Sequence, residues 1–149
     1  MRVSVCVPVR CKSGTVQVQT LGHVVLKVRD IERSEAFYTG ILGLPIISRI
    51  TDPPMTFFSL GSTENHHDFA VMEVGGSAPS PAGNATGLAH VAFKVGSAPE
   101  DLRPARDVLE AFGTPLLYEA ERGSSRSIHV LDPDNNEIEL YVDLATSDP

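Results

Sequence analysis

Leu21-Gly22-His23-Val24-Val25-Leu26-Lys27-Val28 returns 67 residues later as Leu88-Ala89-His90-Val91-Ala92-Phe93-Lys94-Val95. Each copy carries one histidine at its third position, followed by the kind of apolar run that builds a strand. Further along each half, a second apolar run carries a glutamate. These runs are Phe69-Ala70-Val71-Met72-Glu73-Val74 and Ile138-Glu139-Leu140-Tyr141-Val142. Glu73 lies 50 residues after His23, and Glu139 lies 49 after His90. A repeat of this period marks two copies of one structural unit. The matched histidines and glutamates predict that the copies jointly supply a metal site.

Around these anchors the pattern reads βαβββ twice. Thr20 to Arg29 is a strand with His23, Val25 and Lys27 on one face. Asp30 is a good N-cap for a helix from Ile31 to about Ile41, ended by Gly40 and Gly43. Strands follow at Leu44–Ile50, Met55–Leu60 and His67–Val74. In the second half a strand at His90–Val95 precedes a helix from Pro99 to Phe112, stopped at Gly113, with strands at Leu116–Glu119, Ser125–Leu131 and Glu137–Leu144. The domain therefore spans 20–144, with module 1 at 20–75, a Gly/Pro-rich linker at 76–86 and module 2 at 87–144. Residues 1–19 read as an N-terminal extension and 145–149 as a loose tail.

The chain has 149 residues, 42% of them hydrophobic and 21% charged, which is ordinary for a globular protein. Its net charge of −7 and its lack of a basic cluster argue against nucleic acid as a partner. No apolar run reaches the roughly 18 residues that span a bilayer. The apolar stretch near Met1 is too short and interrupted for a signal peptide, so a cytoplasmic protein is expected. Cys6 and Cys11, five residues apart, make neither a disulfide framework nor a complete zinc site and read as free thiols.

Two histidines and one carboxylate, His23, His90 and Glu139, suit a divalent metal such as iron, manganese or zinc. Glu73 offers a fourth ligand and a base. The turn Asp132-Pro133-Asp134-Asn135-Asn136 predicts a hairpin that sets His129 opposite Glu139, making His129 a candidate acid/base beside the metal. By strand parity His67 shares a face with Phe69, Val71 and Glu73. It either competes with Glu73 for the fourth position or lines the substrate pocket, and His66 points the other way. Phe57 and Phe58 straddle their strand, so one of them lines the cavity.

Gly22-His23-Val24, Arg33-Ser34-Glu35-Ala36-Phe37-Tyr38 with Leu42-Gly43-Leu44, Ala89-His90-Val91-Ala92-Phe93 and the run from Asp132 to Leu140 resemble the vicinal oxygen chelate superfamily. That group includes glyoxalase I, extradiol dioxygenases, fosfomycin-resistance enzymes and bleomycin-resistance proteins. The resemblance implies an α+β fold in which two tandem βαβββ modules form an incomplete β-barrel cup around the metal, with His23, His90 and Glu139 as ligands. Glyoxalase I's extra carboxylate would map onto Glu73. The runs around His67 and Glu139 look most like small extradiol-dioxygenase members, which favours Fe2+ over Zn2+, Ni2+ or Mn2+ and a small catechol-type substrate. Two departures stand out: Arg122 lies where that signature expects a histidine, and His129 where it expects a tyrosine. Three other readings stay open: a glyoxalase I-like lyase or isomerase using Glu73, a fosfomycin-type transferase, and a drug-binding resistance protein without turnover. Open sheet edges predict a homodimer, its metal site either within one chain or shared between two.

Overall fold

The computed structural model describes residues 16, 18–61 and 66–144, so Cys6, Cys11 and the tail at 145–149 lie outside the described residues. The two expected βαβββ units are both present. Module 1 runs β1 (Val24–Val28), α1 (Ile31–Tyr38), β2 (Ile46–Thr51), β3 (Pro54–Phe58) and β4 (Phe69–Glu73). Module 2 runs β5 (Val91–Gly96), a 3-10 turn (Pro99–Asp101), α2 (Leu102–Ala111), β6 (Leu116–Arg122), β7 (Ser125–Leu131) and β8 (Glu137–Asp143). Each module forms its own four-stranded sheet, ordered β1-β4-β3-β2 and β5-β8-β7-β6, with the first and last strands parallel. The sheets do not close into a barrel.

Local chemistry sets the element ends. The Asp30 side chain accepts the Arg33 N–H at 2.9 Å and caps α1. That helix is shorter than its periodicity predicts, and a turn at 39–42 leads to Gly43 at φ +72°, a conformation that favours glycine. The second helix starts with a tighter 3-10 turn at Pro99, whose missing N–H is harmless there. β6 is longer than expected, reaching Arg122, because it pairs with β7 from Ser125 to Val130.

The core lies between the helices and one face of each sheet. Tyr38, Phe58, Phe69, Val28, Ile128, Ile138 and Val142 are all buried there. Phe69 meets Phe93 edge-on at a centroid distance of 5.5 Å, so the modules share this core. A polar clasp adds to it. The buried Tyr38 hydroxyl donates to Asp132 Oδ2 at 2.7 Å, and Asp134 receives Arg29 Nε at 2.6 Å and Arg33 Nη2 at 2.8 Å. The Asp132-x-Asp134-x-Asn136 spacing could suggest a cation loop. Instead, donors surround these carboxylates: Asp132 also accepts the N–H groups of Asp134 and Asn136 and the Asn136 side chain. The loop is therefore a joint between modules. Asn135 takes φ +66° within it, as its turn position demands.

Candidate metal centre

The matched histidines and Glu139 lie toward the opposite face of each sheet. In module 2 the hairpin pairs His129 with Glu139 and Val130 with Ile138, as the turn predicts. Glu139 is also level with Ala92 on β5, and His90 sits just ahead of that strand. His90 Nε2 and Glu139 Oε2 end 3.0 Å apart, on half-buried side chains. About 3 Å is the spacing of two ligand atoms at right angles around an ion bound at roughly 2.1 Å. The donor pair fits a divalent metal by both chemistry and separation.

Beside it lies a second imidazole–carboxylate pair. His129 is 1% exposed, and its Nδ1 lies 2.8 Å from Glu137 Oε1. A carboxylate only accepts, so Nδ1 carries the proton. Nε2 lies 3.1 Å from Ser127 Oγ and 3.7 Å from Glu139 Oε1. Tyr118 stacks on the His129 ring at 4.1 Å, and its hydroxyl donates to the same Glu137 oxygen at 2.5 Å. Burial pushes the Glu137 carboxyl up, but the bonds from Tyr118 and His129 outweigh it and hold it below the usual carboxylate range. The bond to Glu137 in turn raises the Tyr118 hydroxyl above the ordinary tyrosine value. Glu137, Ser127 and Tyr118 escape the motif reading, although Glu137 and Ser127 lie two residues from Glu139 and His129 and so share their face.

In module 1, His23 is exposed just ahead of β1, its ring 4.4 Å from that of His67. His67 lies in the bend before β4, where strand parity does not apply, and it turns toward His23 and the edge of Phe57 at 4.8 Å. Burial first, then the neighbouring His23 and His66, lower its pKa below the ordinary histidine value. His66 is exposed. Phe57 is the residue of its pair on this open face, while Phe58 is buried in the core.

Glu73 does not join the site. Its register partner is Val28, five residues beyond His23, which places it about 16 Å along the sheet at roughly 3.3 Å per residue. It also shares the core-side face of Val28, and its Oε2 accepts the Ile31 N–H at 2.9 Å. That N–H belongs to the first turn of α1 and has no partner within the helix. The true counterpart of Glu139 is Ala70. Val25 pairs with Ala70 just as Ala92 pairs with Glu139. The 50-residue spacing misleads because module 2 holds two more residues between its first and last strands.

His23 does not reach His90 and Glu139 within one chain. Among the described residues, no three His, Cys, Asp or Glu side chains converge as a metal requires. One face offers His23 with His67, the other His90 with Glu139. Beyond His23 the face remains open and largely apolar, with Val25 38% and Ile50 43% exposed beside half-buried Met55, Phe57 and Met72, and with the exposed Lys27 level with the two methionines.

A sequence model of the Glyoxalase/Bleomycin resistance protein/Dioxygenase superfamily matches residues 20–140. The chain belongs to this superfamily. It is 30% identical over 124 residues to biphenyl-2,3-diol 1,2-dioxygenase 3 of Rhodococcus globerulus, covering 83% of this chain and 63% of that enzyme. It is also 30% identical over 125 residues to lactoylglutathione lyase of Salmonella typhimurium, covering 79% of this chain and 88% of the lyase. The chain thus spans less than two thirds of the ring-cleaving dioxygenases it matches, but most of the lyase. Its fold is shared by a point mutant of fosfomycin resistance protein FosX from Listeria monocytogenes, a structure holding Mn(II) and 1S,2S-dihydroxypropylphosphonic acid. That likeness has a TM-score of 0.66 at 23% identity, over 87% of this chain and 94% of FosX.

Proposed function

We propose that this chain is a metal-dependent enzyme of extradiol-dioxygenase type, acting on a small catechol as a homodimer. Its metal would be held by His23 of one copy and His90 with Glu139 of the other. The observation that carries this reading is the alanine at the place of a fourth ligand. With Ala70 opposite Glu139 in the repeat, the set is two histidines and one carboxylate, the ligand set of non-haem iron(II) oxygenases. It leaves room for a substrate with two neighbouring oxygens and for O2. A glyoxalase-like reaction loses its proposed fourth ligand and base, because Glu73 is committed to the α1 terminus.

When bound, the metal would act as a Lewis acid on the two neighbouring oxygens of the substrate. The chain's own residues do the rest. Phe57, Val25, Met55 and Met72 provide an apolar wall for an aromatic ring. His67, next to His23, is neutral at pH 7 because its pKa is lowered, and a neutral imidazole can accept a catechol proton. His129, on the opposite wall, keeps its Nε2 toward Glu139 and is the second proton-transfer group.

Protein purified without chelators and assayed in air against a catechol panel tests this. Bound iron, oxygen consumption and yellow ring-cleavage products are expected. One equivalent of zinc or nickel without oxygen consumption would overturn the oxidative reading. The pH profile carries its own signature. A base with a lowered pKa stays active down to lower pH, so the acid limb of kcat/KM should lie below the ordinary histidine value of about 6.5. That limb should vanish in His67→Gln along with much of the rate. An unchanged profile in the variant would remove His67 from the mechanism.

A further inference from the structure

Glu137 and Glu139 stand two residues apart on one face of β8, and each faces a different imidazole. Glu139 faces His90 at 3.0 Å and Glu137 faces His129 at 2.8 Å. The two rings meet edge to face at a centroid distance of 5.7 Å. Two adjacent His–Glu pairs could be read as two half-sites for metal. The second pair is built differently. Both His129 nitrogens already have protein partners, and Glu137 Oε1 is shared between His129 Nδ1 and the Tyr118 hydroxyl. The Tyr118 ring, tilted only 18° from that of His129, closes one side of it. This is a locked imidazole.

From this geometry we infer that Glu137 and Tyr118 are positioning residues. Together they fix His129 in the Nδ1–H tautomer and turn its Nε2 lone pair toward Glu139 and the cup. Glu137 holds the proton on Nδ1, because its carboxylate offers only acceptors there. Tyr118 fixes the ring plane through stacking and fixes Glu137 through its hydroxyl. Ser127 then donates its hydroxyl to Nε2, occupying the lone pair until a substrate hydroxyl takes its place. Without Glu137 the tautomer loses its reason. The proton can move to Nε2, where it would bond to Glu139 and compete with the metal for that carboxylate. The tautomer depends on the chain alone, whereas its consequence for metal binding rests on the ligand assignment proposed above.

Histidine 15N NMR of the metal-free protein reads this directly, with the His129 signals assigned through their loss in His129→Gln. The expected wild-type spectrum shows His129 protonated at Nδ1 and bare at Nε2. Glu137→Ala should move the proton to Nε2. Glu137→Gln, whose amide oxygen can still accept, should restore the Nδ1–H form and guards against a merely unfolded variant. In Co(II) titrations, Glu137→Ala should weaken binding about 10- to 100-fold, the usual range for partners just outside the ligand shell. An Nε2–H tautomer in the wild type, or an unchanged tautomer in Glu137→Ala, would overturn the inference. Retained Co(II) binding in His90→Ala would instead overturn the ligand assignment and leave the tautomer result standing.

Discussion

Co-expressing His23→Ala chains with Glu139→Ala chains is expected to restore about a quarter of the wild-type metal sites, although neither variant alone holds metal tightly. Random pairing makes half of all dimers mixed. In a two-fold symmetric dimer each mixed pair then carries one intact site and one doubly defective site. The His23→Ala chain still supplies His90 and Glu139, and its partner still supplies His23. The effect is large because each single variant removes one of three ligands. Metal content of the whole purified mixture measures it, and mixed dimers isolated through distinct tags should hold about half of the wild-type content. A site built within one chain gives the opposite outcome, since no mixture then holds a full set of ligands. Zero recovery would therefore sink the shared-site reading. Recovery is expected on physical grounds: His23 stands on an open apolar face, His90 and Glu139 on another, and among the described residues no third ligand completes either.

How far these features can be read from the chain depends on whether the information is local. The repeated strand with its histidine is local, and it leads directly to two βαβββ modules. The facing of His129 and Glu139 follows from the turn at Asp132–Asn136, because a short hairpin sets its own register. Glu73 shows the limit. Counting residues from each histidine assumes equal insertions in both halves. Register shows instead that Ala70 occupies the matching place, and that Glu73 answers a backbone need at the start of α1. Tyr118 faces His129 through the regular register of the hairpin turned at Gly123–Ser124, and the irregularity between Leu116 and Tyr118 falls beyond that pair. Ending β6 at Glu119, four residues short of that turn, hides this hairpin in the sequence. Strand parity puts His67 with Phe69 and Val71 on what is the buried face, and its contact with His23 comes instead from the bend before the strand. Contacts across long separations, such as Arg29 with Asp134, leave no trace in any window of sequence.

Replacing Asp132 should have the largest effect on stability of any single polar change, about 3–5 kcal/mol for Asp132→Ala, because each buried donor left without an acceptor costs about 1–3 kcal/mol. Its two carboxylate oxygens take four hydrogen bonds, from Tyr38, the N–H groups of Asp134 and Asn136, and the Asn136 side chain. Tyr38 and Asp132 are both almost wholly buried, so the abandoned donors find no water. Tyr38→Phe removes one donor and leaves the other three, so about 1–2 kcal/mol is expected. Urea midpoints at constant m-value measure both changes. Equal losses in the two variants would mean that Asp132 does no more than hold Tyr38. The sign with pH follows from the hydroxyl. Burial, then the Asp132 and Asp134 charges, push the Tyr38 pKa far above the ordinary value near 10. A raised pKa favours the protonated form, so this stabilisation is complete below about pH 10 and is lost only as pH climbs toward the folded-state value. The gap between wild type and Tyr38→Phe should therefore stay flat from about pH 6 to 9. The same loop delivers the chain into β8, two residues before Glu139 and at the start of its pairing with β7. Loosening the clasp frees that strand end, so Asp132→Ala should weaken metal binding even at temperatures where the protein remains folded.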